Sequence, residues 1–114
     1  MSAATALKIL TAQQWATFQS TGRFEGAPVD LADGYIHMST ADQVAETLSK
    51  HFDGQDDLVL ARIALAPLGD ALKWEVSRGG QPFPHYYGVL TLSDVTAHAP
   101  IMLGADRRHI LPAL

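Results

Sequence analysis

The run Leu58-Val59-Leu60-Ala61-Arg62-Ile63-Ala64-Leu65 is apolar at seven of eight positions, Arg62 being the exception, and it constrains the fold more than any other segment. A strand exposed on one side alternates apolar and polar residues, whereas an unbroken apolar run of this length reads as a strand covered on both faces. It is expected at the centre of a sheet with other elements packed on each side. A chain of 114 residues is about one domain and buries roughly two-thirds of the surface exposed by its unfolded form. Residues 1–114 are therefore read as a single domain with one sheet, and residues 1–5 as a disordered start.

Residues 6–10 read as a short strand. Thr11 and Gln14 then make a capping box for a helix running to about Ser20, with Trp15 and Phe18 as its buried face and Gly22 as its end. Residues 23–33 contain Gly26, Pro28 and several acids, and read as a loop that flanks a pocket. In residues 35–39, Ile36 and Met38 fall on one strand face and Tyr35, His37 and Ser39 on the other. Thr40 with Gln43 repeats the capping pattern for a helix to about Phe52, with Val44, Leu48 and Phe52 as its apolar stripe. Residues 72–78 read as a strand with Trp74 in the core and Lys73, Glu75 and Ser77 on the opposite face. Gly79 to Pro84 breaks that strand, leaving His85 and Tyr87 in a loop stiffened by Pro82 and Pro84. Residues 89–92 and 95–103 complete the strands, with Pro100 limiting the last to an edge. Two helices, both early, among five or six strands argue for an α+β domain with a small mixed or split sheet.

Eight Lys and Arg against 12 Asp and Glu give a net charge of −4, with no basic stripe of the kind that neutralises a nucleic-acid backbone. No cysteine is present, which excludes disulfides, thiolate nucleophiles and Cys-ligated zinc, and points to a cytoplasmic protein. Neither a membrane span nor a signal peptide is recognisable. There is no His-x-His or His-Glu-x-x-His pair to build a metal site from, and no Gly-x-Ser-x-Gly elbow, so neither a metal centre nor serine hydrolase chemistry is expected.

The versatile side chains concentrate in residues 34–40 and 74–88. His37, Glu75 and His85 are the candidate catalytic groups, because imidazole and carboxylate side chains on presented positions are the usual general acids and bases. Ser39, Ser77, Arg78 and Tyr87 are the candidate ligand contacts, Arg78 for its planar phosphate-matching fork beside Gly79-Gly80. Each has a structural alternative: His37 pinning the 23–33 loop, Ser39 and Thr40 capping a helix, Glu75 in a surface ion pair.

The segments Gly34-Tyr35-Ile36-His37-Met38-Ser39-Thr40, His51-Phe52, Trp74-Glu75-Val76-Ser77-Arg78 and Phe83-Pro84-His85-Tyr86-Tyr87-Gly88 together resemble the signature of a small bacterial family, Domain of Unknown Function 952. The resemblance implies an ADP-ribosyltransferase-like fold, a pair of sheets around an NAD-holding cleft. A weaker resemblance links residues 36–69 to RNA 2′-phosphotransferases, which use NAD, with His37 and Ser39 on the motif positions. In those enzymes the first strand ends in His-Gly-Thr, and the His contacts the NAD ribose. Here Thr11 matches, while Ile9 and Leu10 stand in the places of His and Gly.

Two functions follow as expectations. One is an enzyme acting on NAD, ADP-ribose or a related phosphorylated nucleotide, with His37 and Ser39 holding the ligand, Arg78 and His85 on phosphate, Tyr87 stacking and Glu75 as a base. The other is a non-catalytic descendant of that fold, binding a nucleotide-like ligand or a protein.

Overall fold

The computed structural model describes residues 4–114, except for the side chain of Arg78. The first strand, β1 (Thr5–Thr11), leads directly into helix α1 (Ala12–Thr21). Thr11 caps that helix reciprocally: its hydroxyl accepts from Gln14 N at 3.0 Å, and Gln14 Oε1 accepts from Thr11 N at 2.9 Å. Gly22 ends it at φ 77°. Trp15 and Phe18 are the buried residues of α1, as the sequence implies.

Residues 23–33 are not simply a loop. They form the short strand β2 (Arg23–Phe24) and helix α2 (Pro28–Asp33). Pro28 occupies the first turn, where its missing N–H costs nothing. Asp30 accepts from the backbone N–H of Ala27 at 2.8 Å, and Gly34, at φ 89°, closes the far end. Strand β3 (Ile36–His37) follows. Thr40 and Gln43 then build a turn ahead of helix α3 (Val44–His51) rather than its first residue: Thr40 N donates to Gln43 Oε1 at 3.0 Å while Thr40 O accepts from Val44 N at 3.1 Å.

Strand β4 (Leu58–Ala64) is central, as its apolar run requires, pairing antiparallel with β1 on one side and β8 (Val95–Leu103) on the other. Strands β5 (Leu72–Val76) and β6 (Pro82–Tyr86) form a hairpin. Gly79 to Pro84 is thus a turn and a strand, not a break, and His85 lies in a strand, not in a loop. Gly79 and Gly80, at φ 70° and 74°, supply the positive φ of the reversal, and Ser77 N donates to Gln81 O at 2.9 Å. The two prolines are accommodated because their carbonyls carry the pairing: Pro84 O accepts from Met38 N and Pro82 O from the Gln43 side chain. Trp74 is not core. It is 39% exposed, on the edge strand β5, whose Val76 on the same face is 73% exposed.

The short strands β7 (Leu90–Thr91) and β9 (His109–Ile110) pair with β2 and β8. The sheets run β1-β4-β8-β9, β2-β7 and β3-β6-β5. A bridge between Leu7 and Ser39, with N···O distances of 2.8 and 2.9 Å, joins β1 to the β3 end and makes one curled antiparallel surface of the two larger sheets. Alternation along β4 sends Val59, Ala61 and Ile63 into one core, with Trp15, Phe18, Ile36 and Met38, and Leu58 and Leu60 into a second, with Val44, Leu48 and Ile101. The protein is an α+β domain.

Candidate functional site

Register alone gathers the candidate residues. His37 pairs with His85, His85 with Lys73, and Phe83 with Glu75. Directly opposed residues of antiparallel strands point to the same side. Tyr35, His37 and Ser39 from the β3 segment, Phe83, His85 and Tyr87 from β6, and Lys73, Glu75 and Ser77 from β5 therefore share one face of the three-stranded sheet. Against that face, β1, α1, α2 and the end of α3 enclose a cavity of about 760 Å³, whose walls include Ile9, Tyr35, His37, Ser39, Phe83 and His85.

Its polar chemistry is organised by two histidine–carboxylate pairs. In the first, Asp30 is buried at 1% exposure. Its Oδ1 accepts from His37 N at 3.0 Å and lies 2.6 Å from His37 Nδ1, and its Oδ2 accepts from Lys8 Nζ at 3.0 Å. Lys8 Nζ also donates to His37 O at 2.9 Å. The other ring nitrogen, Nε2, is 2.9 Å from Asp33 Oδ2. Ionised carboxylates only accept, so both ring bonds form together when His37 carries both protons. Burial works against the Asp30 charge, yet the bond from His37, the Lys8 ammonium and the two backbone amides outweigh it and bring the carboxyl down to about 2. Burial depresses the Lys8 ammonium, with Asp30 opposing.

In the second pair, Glu75 Oε1 is 2.8 Å from His85 Nδ1 and accepts from the Tyr87 hydroxyl at 2.7 Å. The bonds from Tyr87 and His85 hold Glu75 below the usual carboxylate range, and the same Glu75 bond pushes the Tyr87 phenol up to about 12. Tyr35 lies over both pairs, stacked on His85 at 4.1 Å and 27° and tilted against His37 at 4.6 Å and Tyr87 at 5.2 Å. Burial, then the charges of Asp33, Glu75 and Asp30, raises its phenol. Among the described residues no His, Asp and Glu side chains converge as a metal-ligand set.

Residues 9–98 match the family described as Protein of unknown function (DUF952). The chain belongs to that family. It is 48% identical to protein CC0527 from Caulobacter crescentus, whose X-ray structure superposes with a TM-score of 0.89 over 93% of each chain. The solution NMR structure of the same Caulobacter protein gives a TM-score of 0.83, covering 93% of this chain and 91% of that one. No curated protein matches the sequence. Among the described residues, no helix is long and apolar enough to cross a membrane.

In this DUF952 protein the sheet brings together His37, Glu75, His85 and Tyr87. Ser39 lines the cavity at 4% exposure, with its hydroxyl 3.0 Å from that of Thr47. Thr47 commits its proton to Gln43 O, so Ser39 donates to Thr47 and keeps its lone pairs. Ser77 stands at the cavity rim and is exposed. Arg78 lies in the turn Arg78–Gly80, and its side chain is outside the described residues. Sequence reading missed Lys8, Asp30, Asp33 and Tyr35. A helix signal was present for Asp30, with proline two residues before it and glycine four after. For Lys8 the only signal was a charged residue inside an apolar strand.

Proposed function

We propose that this protein binds a nucleotide-like ligand of the NAD or ADP-ribose class in the cavity, on an ADP-ribosyltransferase-like fold. The observation that carries the reading is the single sheet face that presents His37, Ser39, Ser77 and His85 to a cavity of about 760 Å³, with Glu75 bonded behind His85 and Tyr87 bonded to Glu75. That volume is within the range of small-molecule sites. Tyr35 and Tyr87 offer ring faces to a base, and Ser39 and Glu75 offer acceptors to ribose hydroxyls. Arg78 is proposed for phosphate on its chemistry alone, the planar guanidinium fork. If a transfer is catalysed, His85 is the proton acceptor and Glu75 the group that orients it. The absence of cysteine suits a cytoplasmic setting.

A second reading, binding without turnover, is favoured by β1. Ile9 forms cavity wall and Leu10 is core at 1% exposure, where related transferases carry the His that touches ribose and the Gly beside it. One experiment addresses both readings: an amide-detected NMR titration with AMP, ADP-ribose, nicotinamide and NAD. Shifts clustered at residues 35–40 and 74–88 are expected, and turnover of NAD would then decide between them. Silence toward all four at millimolar concentration would remove the nucleotide reading.

A further inference from the structure

We infer that the Tyr35–His85 end of the cavity, with Glu75 bonded beside it, is a subsite for a planar nitrogen cation bearing N–H donors, the chemistry of an amidinium or guanidinium group. The inference rests on the cavity being a ligand site, and goes beyond that reading in naming the group held at one end.

His85 is 3% exposed, and its Nδ1 is committed to Glu75. A carboxylate only accepts, so Nδ1 donates, and in the neutral tautomer that leaves Nε2 as an acceptor. None of the described residues bonds Nε2, yet no buried side-chain N or O lacks a partner. Nε2 is therefore accessible to solvent, on a residue that lines the cavity. Glu75 spends Oε1 on both His85 and Tyr87, leaving Oε2 as a second open acceptor. Asp33 spends Oδ2 on His37 and leaves Oδ1 as a third.

Among the described side chains, the charges acting at this end are mostly negative. Lys8 is committed to Asp30 and the His37 carbonyl. Lys73 lies opposite His85 in register but is exposed, and the charges that act on Tyr35 are Asp33, Glu75 and Asp30. The rings of Tyr35 and Tyr87, 5.2 Å apart at 45°, keep part of their surface open, Tyr87 at 42%. Aromatic faces beside carboxylates attract planar cations, guanidinium above all. Acceptors, negative field and π faces point to the same ligand group.

The probe pair is benzamidine and benzamide, which share a shape and differ in charge and in an NH2 group, two N–H donors, where the amide has its carbonyl oxygen. Titrated into the full chain by NMR, benzamidine is expected to shift Tyr35, Glu75, His85 and Tyr87 and to bind about tenfold more tightly than benzamide. The exchange Glu75→Gln, at a partly exposed position, should bring the two probes level. Equal binding of the two by the native chain overturns the inference. So does silence toward benzamidine: if ADP-ribose still shifts the cavity residues the ligand-site reading survives alone, and if nothing binds both fall.

Discussion

Asp30 is the residue on which the site turns, because one carboxylate bonds β1 through Lys8, the start of α2 through Ala27 and β3 through His37. Its folded pKa, about 2, is depressed below the ordinary aspartate value of about 3.9. The stability it contributes is thus fully present above pH 4 and lost as pH falls from about 4 to 2, amounting to about 2 kcal/mol. Asp30→Asn strands the buried Lys8 ammonium and should cost about 3 kcal/mol or more at pH 7. In urea titrations at pH 7 and pH 2.5, the gap between the native chain and this variant should narrow at the lower pH; a constant gap would show that the charge is not what matters. The two histidines also separate. His37→Ala removes bonds that fasten α2 and should lower stability by about 1–2 kcal/mol, so a loss of binding there is ambiguous. Tyr87→Phe is a cleaner probe of the second pair: with its hydroxyl gone, the Glu75 carboxyl should titrate higher than in the native chain, as a carboxyl carbon NMR titration would detect. An unmoved Glu75 would show that the bond does not hold it.

At the scale of elements, α2 shows where sequence reading failed and why. Gly26 and Pro28 are loop formers in most settings, and a six-residue helix has too little apolar periodicity to announce itself. What holds it is tertiary, the reach of Asp30 to β1 and β3, and no local pattern encodes that. The hairpin β5–β6 misled for the opposite reason. Its prolines argue against a strand, but Pro84 O accepts from Met38 N, Pro82 O accepts from the Gln43 side chain, and the missing N–H groups are tolerated. Alternation, by contrast, is legible: it puts Tyr35, His37 and Ser39 on one face of their strand and Glu75 with Ser77 on one face of theirs, while the pairing through β6 that joins the two faces is not encoded in either segment. Gly34 gives a direct test of the α2 stop. At φ 89°, with nothing within 4 Å of where a Cβ would stand, Gly34→Ala has only backbone strain to overcome. It should cost about 1 kcal/mol, read as a lowered thermal midpoint. A neutral result would mean that the residue leaves the left-handed region at little cost.

Across the whole molecule, the curled sheet divides labour between its faces. One face buries the core that includes α1. The other carries α3 over part of its width and the cavity over the rest, so the cavity is the part of that face α3 does not cover. Leu48, 2% exposed in the second core, forms none of the cavity wall, whereas Phe52 both packs against that core and lines the cavity. Stability and binding should therefore come apart on a single helix. Leu48→Ala should cost about 3 kcal/mol in urea unfolding while leaving the ADP-ribose shifts of the folded protein unchanged. Phe52→Ala, removing a half-buried ring, should cost less in stability and weaken ligand binding. If Leu48→Ala also moved the cavity resonances, the two halves of that face would be one mechanical unit, joined through the Leu7–Ser39 bridge rather than independent across it.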